Sequence, residues 1–423
     1  MSNRSSSDFL ALPEPPPLPD RVDVAIVGSG YCGLAAALEL ARAGTRVAVL
    51  ERDHLGAGAS SRNGGMVGGG VKLDWHGLER RFGQAKAEAL HEGARASFEH
   101  LEGLIEREQL DADYCRSGRF IAACSPTHFR ALERQVRALG PSAEPSIEVV
   151  PRERQSEEIG SECYHGGVVI ELSGGLHPAK FHRDLCAAAG TAGAELHGHT
   201  EVQRLTRTPQ GFRLTTNRGE LQTAEVFVAT NGYTGPVTPD LSRRVVPVAS
   251  YMIATEELPP DLARQLSPRG RMFVDSNRLL AYFRLSPDGK RVLLGGRINL
   301  RDTNEPLAAR ALHRKLLQIW PALAPFRLTH AWKGYLGFTF DHLPHMGMRD
   351  GVHFAMGCNG SGVAMATYLG HQTALKLLHK QNRPCPFDSS SFPGHPLYSG
   401  RPWFLPLVGA WYRLRDTLDH WRP

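Results

Sequence analysis

The sequence predicts an α/β fold, and three observations carry that reading. First, residues 22–51 run as strand, glycine turn, alanine-rich helix and second strand, and a small-residue loop, GASSRNGG, follows. Second, residues 352–378 repeat the order strand, glycine turn, long helix. Third, the intervening chain alternates short apolar strands with amphipathic helices. Together they predict a Rossmann-like nucleotide domain assembled from 21–76, 161–239 and 331–384, interrupted by a mixed-sheet, α+β portion from 77–160 and 240–330. Residues 1–20, rich in Ser and Pro, read as an extended or disordered arm. Residues 385–423 read as a tail that packs on the body or at an interface.

The opening strand contains Val24, Ala25, Ile26 and Val27, apolar enough for burial on both faces of a parallel sheet. Gly28, Gly30 and Gly33 follow with G-x-G-x-x-G spacing. The first suits a tight turn, the second lets backbone approach a pyrophosphate, and the third lets the helix pack close to the strand. The helix spans about 31–43 and ends at Gly44. Tyr31 and Cys32 open it, where unpaired N–H groups and the positive dipole end face a diphosphate. The second strand, 46–50, delivers Glu51 and Arg52 to the sheet edge, and an acid there accepts hydrogen bonds from a ribose. Ser60, Ser61, Arg62 and Asn63 then supply donors, while Gly64, Gly65 and Met66 let backbone lie against a flat ligand.

Leu78, Phe82, Ala85 and Ala89, then Phe98, Leu101 and Ile105, predict one or two amphipathic helices over 77–110, with His91 and His100 on the surface. Residues 117–123 read as a strand, 127–139 as a helix and 141–151 as a linker. A short strand at 168–170 precedes a helix that begins at Pro178, with His177 either capping it or facing the ligand. Residues 201–206 and 211–216 form a hairpin, and 221–228 pairs onward. That last strand ends in Ala229, Thr230, Asn231 and Gly232, again at a sheet edge where ligands bind. Strands follow at 245–256, 279–285 and 292–297, the latter two joined by a turn at Ser286, Pro287, Asp288 and Gly289. Leu312, Leu316 and Ile319 mark a helix that stops before Pro321. The tail carries Trp403, Phe404, Leu405, Leu407, Trp411 and Tyr412 beside Arg401, Arg413 and Arg415. Pro406 and Gly409 are expected to interrupt a helix there, which favours packing on the body or at a subunit interface over a peripheral membrane contact.

Among 423 residues, 49 bases against 43 acids leave a net charge of +6 without a basic block, so nucleic-acid binding is not expected. A mildly positive entrance for an anionic substrate is compatible with that balance. Seven scattered cysteines with no C-x-x-C predict neither a disulfide framework nor a metal site. No apolar run is long enough to span a membrane and no signal core is seen, so a cytoplasmic location is expected.

The nucleotide is FAD rather than NAD on this reading. A nicotinamide enzyme continues βαβ through 60–150, whereas here the Ser-Arg-Asn-Gly-Gly loop intervenes and a second glycine cradle lies near the C-terminus. An extended cofactor gripped at both halves needs both cradles. With Glu51, GASSRNGG, ATNGY and GFTFDHLPHMG…GCNGSGVAMATYLG, the chain resembles the D-amino-acid oxidase/sarcosine oxidase superfamily. Within it, GASSRNGGMV, VVPVASYMIATEEL and YFRLSPDGKRVLLGGR are most similar to the gamma-glutamylputrescine oxidoreductases.

The resemblance, over about 22–378, implies an FAD domain of the glutathione-reductase type and a substrate domain with the flavin between them. It implies hydride removal from the carbon beside an amine, giving an imine that water hydrolyses to an aldehyde plus an amine or ammonia. Gly28, Gly30, Gly33 and Glu51 would hold ADP, and Val202 would frame the adenine. Ser61 to Gly65 would lie along the pyrophosphate and flavin. Gly337, Asp341, Gly357, Asn359, Gly360, Ser361, Gly362 and Val363 would bring backbone and a helix N-terminus to the flavin's pyrimidine end. His342 and His345 lie beside this motif. Gly334 stands where the sarcosine oxidase branch has its flavin-linking cysteine, so non-covalent FAD is expected. Leu293 stands where that branch has an oxygen-activating lysine, which leaves oxygen or an electron carrier as acceptor. Tyr251, Tyr282, Arg284, Arg297, Tyr335 and Asn359 are the candidates for the substrate pocket, with Arg284 or Arg297 as a carboxylate clamp. Three functions compete: oxidation of a gamma-glutamylputrescine-like carboxylated amine; an N-methyl or D-amino-acid dehydrogenase or demethylase that passes electrons to a quinone or carrier; and a non-catalytic flavin-binding subunit.

Overall fold

The computed structural model describes residues 16–70, 75–139, 147–298, 300–388 and 391–421. Two eight-stranded sheets organise them. In the first, the spatial order is His345–Arg349, Val352–Met356, Gly219–Val228, Arg21–Val27, Val47–Leu50 and Glu195–His197. Its centre is parallel: Val24 to Val27 register with Val47 to Leu50 on one side and with Glu225 to Val228 on the other. Ala25 and Ile26 are fully buried, as both-face packing of a parallel sheet requires. Gly211–Thr216 pairs antiparallel with Gly219–Val228 and with Val202–Thr208, extending one region into a hairpin.

Helices Tyr31–Arg42, Gln84–Arg107, Pro178–Thr191 and Gly362–Leu377 share one apolar core with Val24, Ile26, Val47 and Val49. The first and last of these helices cross almost backbone to backbone. A Cβ added at Gly370 would stand 2.1 Å from the Cys32 carbonyl oxygen. That crossing positions two helix N-termini, each preceded by a glycine turn.

The second sheet runs Leu328–Phe338, Val246–Thr255, Val292–Gly296, Ala281–Leu285, Met272–Asp275, Arg119–Ala122, Gly167–Ile170 and Ile147–Val150. Helix Glu305–Ile319 covers one face, with Leu312, Leu316 and Ile319 packed among Phe120, Phe273, Phe283 and Trp320. The opposite face meets the 58–66 loop of the first sheet's domain.

Several expectations need correction. The helices Trp75–Phe82 and Gln84–Arg107 share the first sheet's core, because Leu78, Leu90, Ala94, Phe98 and Leu101 cluster with Val24, Ile26 and the Gly362–Leu377 helix. They were expected in the inserted portion. His100 is not a surface group: its ring lies 4.6 Å from that of His371 and 5.9 Å from that of Tyr368. Conversely Gly167–Ile170 and Leu328–Phe338 pair into the second sheet. The expected linker contains the strand Ile147–Val150, while 140–146 lie outside the described residues, as do 1–15 of the expected arm. The tail forms helix Leu405–Trp421, straight through Pro406 and Gly409. Pro406 falls in the first turn, where its missing N–H has no intrahelical partner, and a helical glycine costs only about 1 kcal/mol. Leu405, Phe404, Val408 and Tyr412 offset that by packing with Val246, Val248 and Tyr398. No helix among the described residues is long and apolar enough to cross a membrane.

Candidate active site

The glycine turn is built as the spacing requires. Gly28 has φ +105°, and a Cβ on Gly33 would lie 2.0 Å from the Gly28 carbonyl oxygen, so helix and turn touch through backbone alone. Gly30 differs: its Cβ would meet only the Ser60 hydroxyl, at 3.0 Å. Thr230, at the end of the neighbouring strand, lies against Gly28. The N–H of Tyr31 donates to Ser60 Oγ at 3.1 Å, which ties the helix N-terminus to the second loop. The side chains of Tyr31 and Cys32 turn inward to the core, and the Tyr31 hydroxyl donates to the Pro178 carbonyl. Only the backbone of these two residues is left at the turn to meet a ligand.

Glu51 ends the second strand beside this turn. Its Oε2 accepts from the N–H and the hydroxyl of Ser29, at 3.0 and 2.9 Å, and its Oε1 accepts from Asp53 N–H at 3.2 Å. Thr200 N–H donates to the Glu51 carbonyl, which brings the start of the Val202–Thr208 strand to the same end. Arg52 points outward and pairs with Asp53. Beneath the turn lies a residue that pattern reading missed: His182, fully buried, with Nε2 2.7 Å from the Ser29 carbonyl oxygen. Burial pushes its imidazole down to about 4, so at neutral pH the ring is an uncharged donor holding the turn.

The loop after Glu51 is stapled by Asn63. Its amide donates to the carbonyls of Ser60 and Ala59, and its oxygen accepts from Gly65 N–H at 2.8 Å. Ser61 Oγ donates to the Gly56 carbonyl, and the Arg62 carbonyl accepts from the Trp332 indole at 2.8 Å. Met66 begins a two-stranded ribbon, Met66–Gly68 with Ser173–Gly175.

At the other end two asparagines knit three segments. Asn231 Oδ1 accepts from Gly357 N–H at 2.9 Å and lies where a Cβ on Gly337 would go. Gly232 lies against the Leu336 carbonyl. Asn359 Oδ1 accepts from Thr339 N–H, its amide donates to the Gly357 carbonyl, and its own N–H donates to the Gly337 carbonyl. Both ends of its amide are spent on the turn, so it positions backbone rather than offering a side chain to substrate. The turn then passes Gly360 and Ser361 into the helix Gly362–Leu377, with Val363 buried in its first turn. Asp341 accepts from Leu343 N–H and faces His345 Nε2 at 2.9 Å. Burial pushes the Asp341 carboxyl up, but hydrogen bonding and charge from His345, with the Leu343 N–H, outweigh it and hold it below the usual range. His345 is itself buried and stacked on Phe392.

The second sheet sorts the remaining candidates by parity, because strand side chains alternate between faces. Tyr282 pairs with Gly295, Arg284 with Leu293, and Met252 with Gly295, so these share one face with Ser250 and Arg297. It is the side that meets the glycine loop: the Tyr282 ring lies 2.9 Å from a Cβ placed on Gly64, and Arg284 lies against Gly65. Tyr251 and Tyr335 belong to the other face, which corrects their placement in the pocket. The Tyr251 hydroxyl bonds Asp302 and Thr303, and the Tyr335 hydroxyl donates to Asp302 at 2.5 Å. Lys333 joins the same carboxylate at 3.2 Å.

On the side that meets the glycine loop, Tyr282 Oη and Ser250 Oγ are 3.0 Å apart. Arg284 is almost fully buried; it donates to the Leu176 carbonyl at 2.6 Å, and its Nε has no partner. Desolvation lowers its guanidinium to about 10. Arg297 lies over the Phe338 ring at 4.9 Å, also with an orphaned Nε, and desolvation lowers it too. Arg119, unremarked in the sequence, bonds Ser173 Oγ beside Gly68. None of these three arginines has an acidic partner within ion-pair distance among the described residues.

The residues fit FAD. The two glycine turns sit at helix N-termini, Glu51 stands at a strand end, and a sheet of aromatic and cationic side chains lies across the loop between them. The match is not confined to geometry. The family model described as FAD dependent oxidoreductase (DAO) matches residues 23–375. The chain is 32% identical to the "Probable oxidoreductase OrdL" of Rhizobium meliloti, over 96% of each chain. It is also 32% identical to the gamma-glutamylputrescine oxidoreductase of Escherichia coli, over 94% of this chain and 93% of that one. Among solved structures, glycine oxidase from Geobacillus kaustophilus superposes with a TM-score of 0.75 at 23% identity, covering 89% of this chain and 99% of that one. The expected α/β architecture with a second mixed sheet is therefore borne out, as is FAD as the cofactor. The chain belongs to the DAO family of FAD-dependent oxidoreductases.

Proposed function

We propose that the enzyme oxidises the C–N bond of a carboxylated amine of the gamma-glutamylputrescine kind. The observation that carries this reading is Arg297, on the side of the second sheet that meets the glycine loop, with no acidic partner within ion-pair distance among the described residues. A half-buried guanidinium whose Nε is buried without a partner is costly to leave without a counter-charge, and a substrate carboxylate supplies one by bidentate hydrogen bonding. The 32% identity to gamma-glutamylputrescine oxidoreductase supports the same substrate class.

When bound, the flavin supplies a two-electron acceptor for hydride from the carbon beside nitrogen. The chain's own residues do the rest. Gly28 to Gly33, Glu51 and the first helix N-terminus would hold the ADP half, and the Gly357–Gly362 turn the flavin half. Arg297 orients the substrate by its carboxylate. Tyr282 and Ser250, a hydroxyl pair, offer a donor and an acceptor to the substrate's polar middle. Between these polar groups Met252, Leu293 and Trp332 supply apolar surface, which disfavours water at the reacting carbon and favours the amine in its neutral form. Leu293 offers no charge to activate oxygen, which favours a quinone or carrier protein as acceptor.

The test is anaerobic flavin reduction with gamma-glutamylputrescine, putrescine, sarcosine and D-amino acids. The carboxylated diamine should reduce the flavin, and putrescine should do so far more slowly. In Arg297→Ala the preference should shrink by one to two orders of magnitude, about 1.5–3 kcal/mol for a charged hydrogen bond, with flavin content unchanged. An unchanged preference would remove Arg297 from the pocket. Peroxide release in air at the rate of flavin reduction would overturn the acceptor assignment.

A further inference from the structure

We propose that helix Leu405–Trp421 is an interfacial anchor that lays the enzyme on an anionic lipid surface. The inference is independent of the substrate reading. At 100° per residue, Leu407, Trp411, Leu414 and Leu418 fall within a sector of about 60°. All four are at least 46% exposed, and Trp403, in the turn before the helix, is 61% exposed. The opposite face is fully used: Leu405, Val408 and Tyr412 pack on the body, and Asp416 and Asp419 both pair with Arg278, at 3.0 and 2.6 Å. The outward apolar stripe is therefore not a core face left over from poor packing. It is a second apolar face on a helix already docked.

Charge selects the occupant. Between residues 391 and 421 the acids are Asp416 and Asp419, and both turn inward to Arg278. The bases are Arg401, Arg413 and Arg415, with Arg413 exposed and Arg415 partly so. Arg413 and Arg415 fall on opposite flanks of the apolar stripe, and the Arg415 guanidinium lies 5.7 Å over the Trp411 ring. An exposed ridge of Leu and Trp, edged by cations and free of outward acids, matches a headgroup boundary: acyl chains under the ridge, anionic headgroups at its flanks. The helix lies on such a surface rather than crossing it, because its other face is bound to the protein.

The experiment is co-sedimentation of the full-length, FAD-loaded protein with vesicles of phosphatidylcholine alone and of an equal mixture with phosphatidylglycerol. The protein should pellet with the anionic vesicles, stay in the supernatant with neutral ones, and be released by high salt. Leu407→Glu with Trp411→Glu should abolish pelleting. Arg413→Glu and Arg415→Glu should each weaken it roughly fivefold or more. Leu407, Trp411 and Arg413 are exposed and Arg415 is half-buried against the Trp411 ring, all far in sequence from the glycine turns, so flavin content and turnover with a soluble acceptor should be unchanged, which separates loss of docking from loss of fold. Failure of the wild type to pellet with anionic vesicles would overturn the proposal, as would equal pelleting of the Leu407→Glu/Trp411→Glu form. A dimer that these two substitutions dissolve, without vesicle binding, would assign the ridge to a second copy of the chain instead.

Discussion

At the residue scale, the glycines of the first turn do two different jobs, and substitution should separate them. Gly33 has no room: an added Cβ would stand 2.0 Å from a backbone oxygen that has nowhere to go. Gly33→Ala should therefore cost stability by about 1–3 kcal/mol or more, seen as a fall in melting temperature of the flavin-free protein. Gly30 has only the Ser60 hydroxyl, at 3.0 Å, in the way, and a hydroxyl can turn aside. Gly30→Asp should leave the flavin-free protein folded, with nearly unchanged melting, yet abolish FAD retention by setting a carboxylate against the pyrophosphate. A yellow, folded Gly30→Asp protein would refute that assignment. This contrast was half legible in the sequence. The spacing of Gly28, Gly30 and Gly33 reports a local turn whose geometry is set within six residues, so pattern alone finds it. His182 was not legible, because its partner Ser29 lies 153 positions away and nothing local to His182 marks the contact. Arg297 was named, but its lack of an acidic partner is a fact of three-dimensional neighbours.

At the element scale, the strands were legible and their faces were not. Residues 245–256 read as a strand, and Val246–Thr255 is one. Yet alternation gives two faces without saying which meets the cofactor, and a strand buried on both sides shows no polar face to break the tie. Tyr251 and Tyr282 thus looked equivalent in sequence and lie on opposite sides of one sheet. The helices pose the converse problem: their existence was clear, their partners were not. Gly370 sits mid-helix with no sequence signal of purpose, and the crossing at Cys32 explains it. Gly370→Ala should push the two helices apart, lower stability by about 1–3 kcal/mol and weaken FAD retention, because both glycine turns ride on these helices. Gly362→Ala makes the control. Its Cβ would meet only Cys358 Cβ, at 3.5 Å, an ordinary contact, so that variant should melt near the parent. Equal effects from the two substitutions would show that the crossing is not tight.

At the scale of the whole molecule, buried histidines set how the fold responds to acid. His182 is held down to about 4 and His100 to about 3, in both cases chiefly by desolvation, with the nearby His371 adding to the effect at His100. The unfolded chain takes up these protons near 6.5, the ordinary histidine value, whereas the folded chain refuses them until much lower pH. Between those limits the unfolded state binds more protons, so stability is fully present above about 6.5 and declines as pH falls toward 4 and then 3. Asp341, held below 3.8, acts in the same direction only at the acid end. The site and the fold are coupled here, since His182 carries the carbonyl of Ser29, whose N–H and hydroxyl engage Glu51. Urea midpoints measured at about pH 5 should lie below those at about pH 7.5, with an unchanged denaturant slope. His182→Gln keeps an amide donor toward Ser29 but cannot titrate, so it should be less stable than the parent at the higher pH and lose less on acidification. If parent and variant lose the same stability between the two pH values, His182 does not carry the effect, and the turn's acid sensitivity must come from elsewhere in the core.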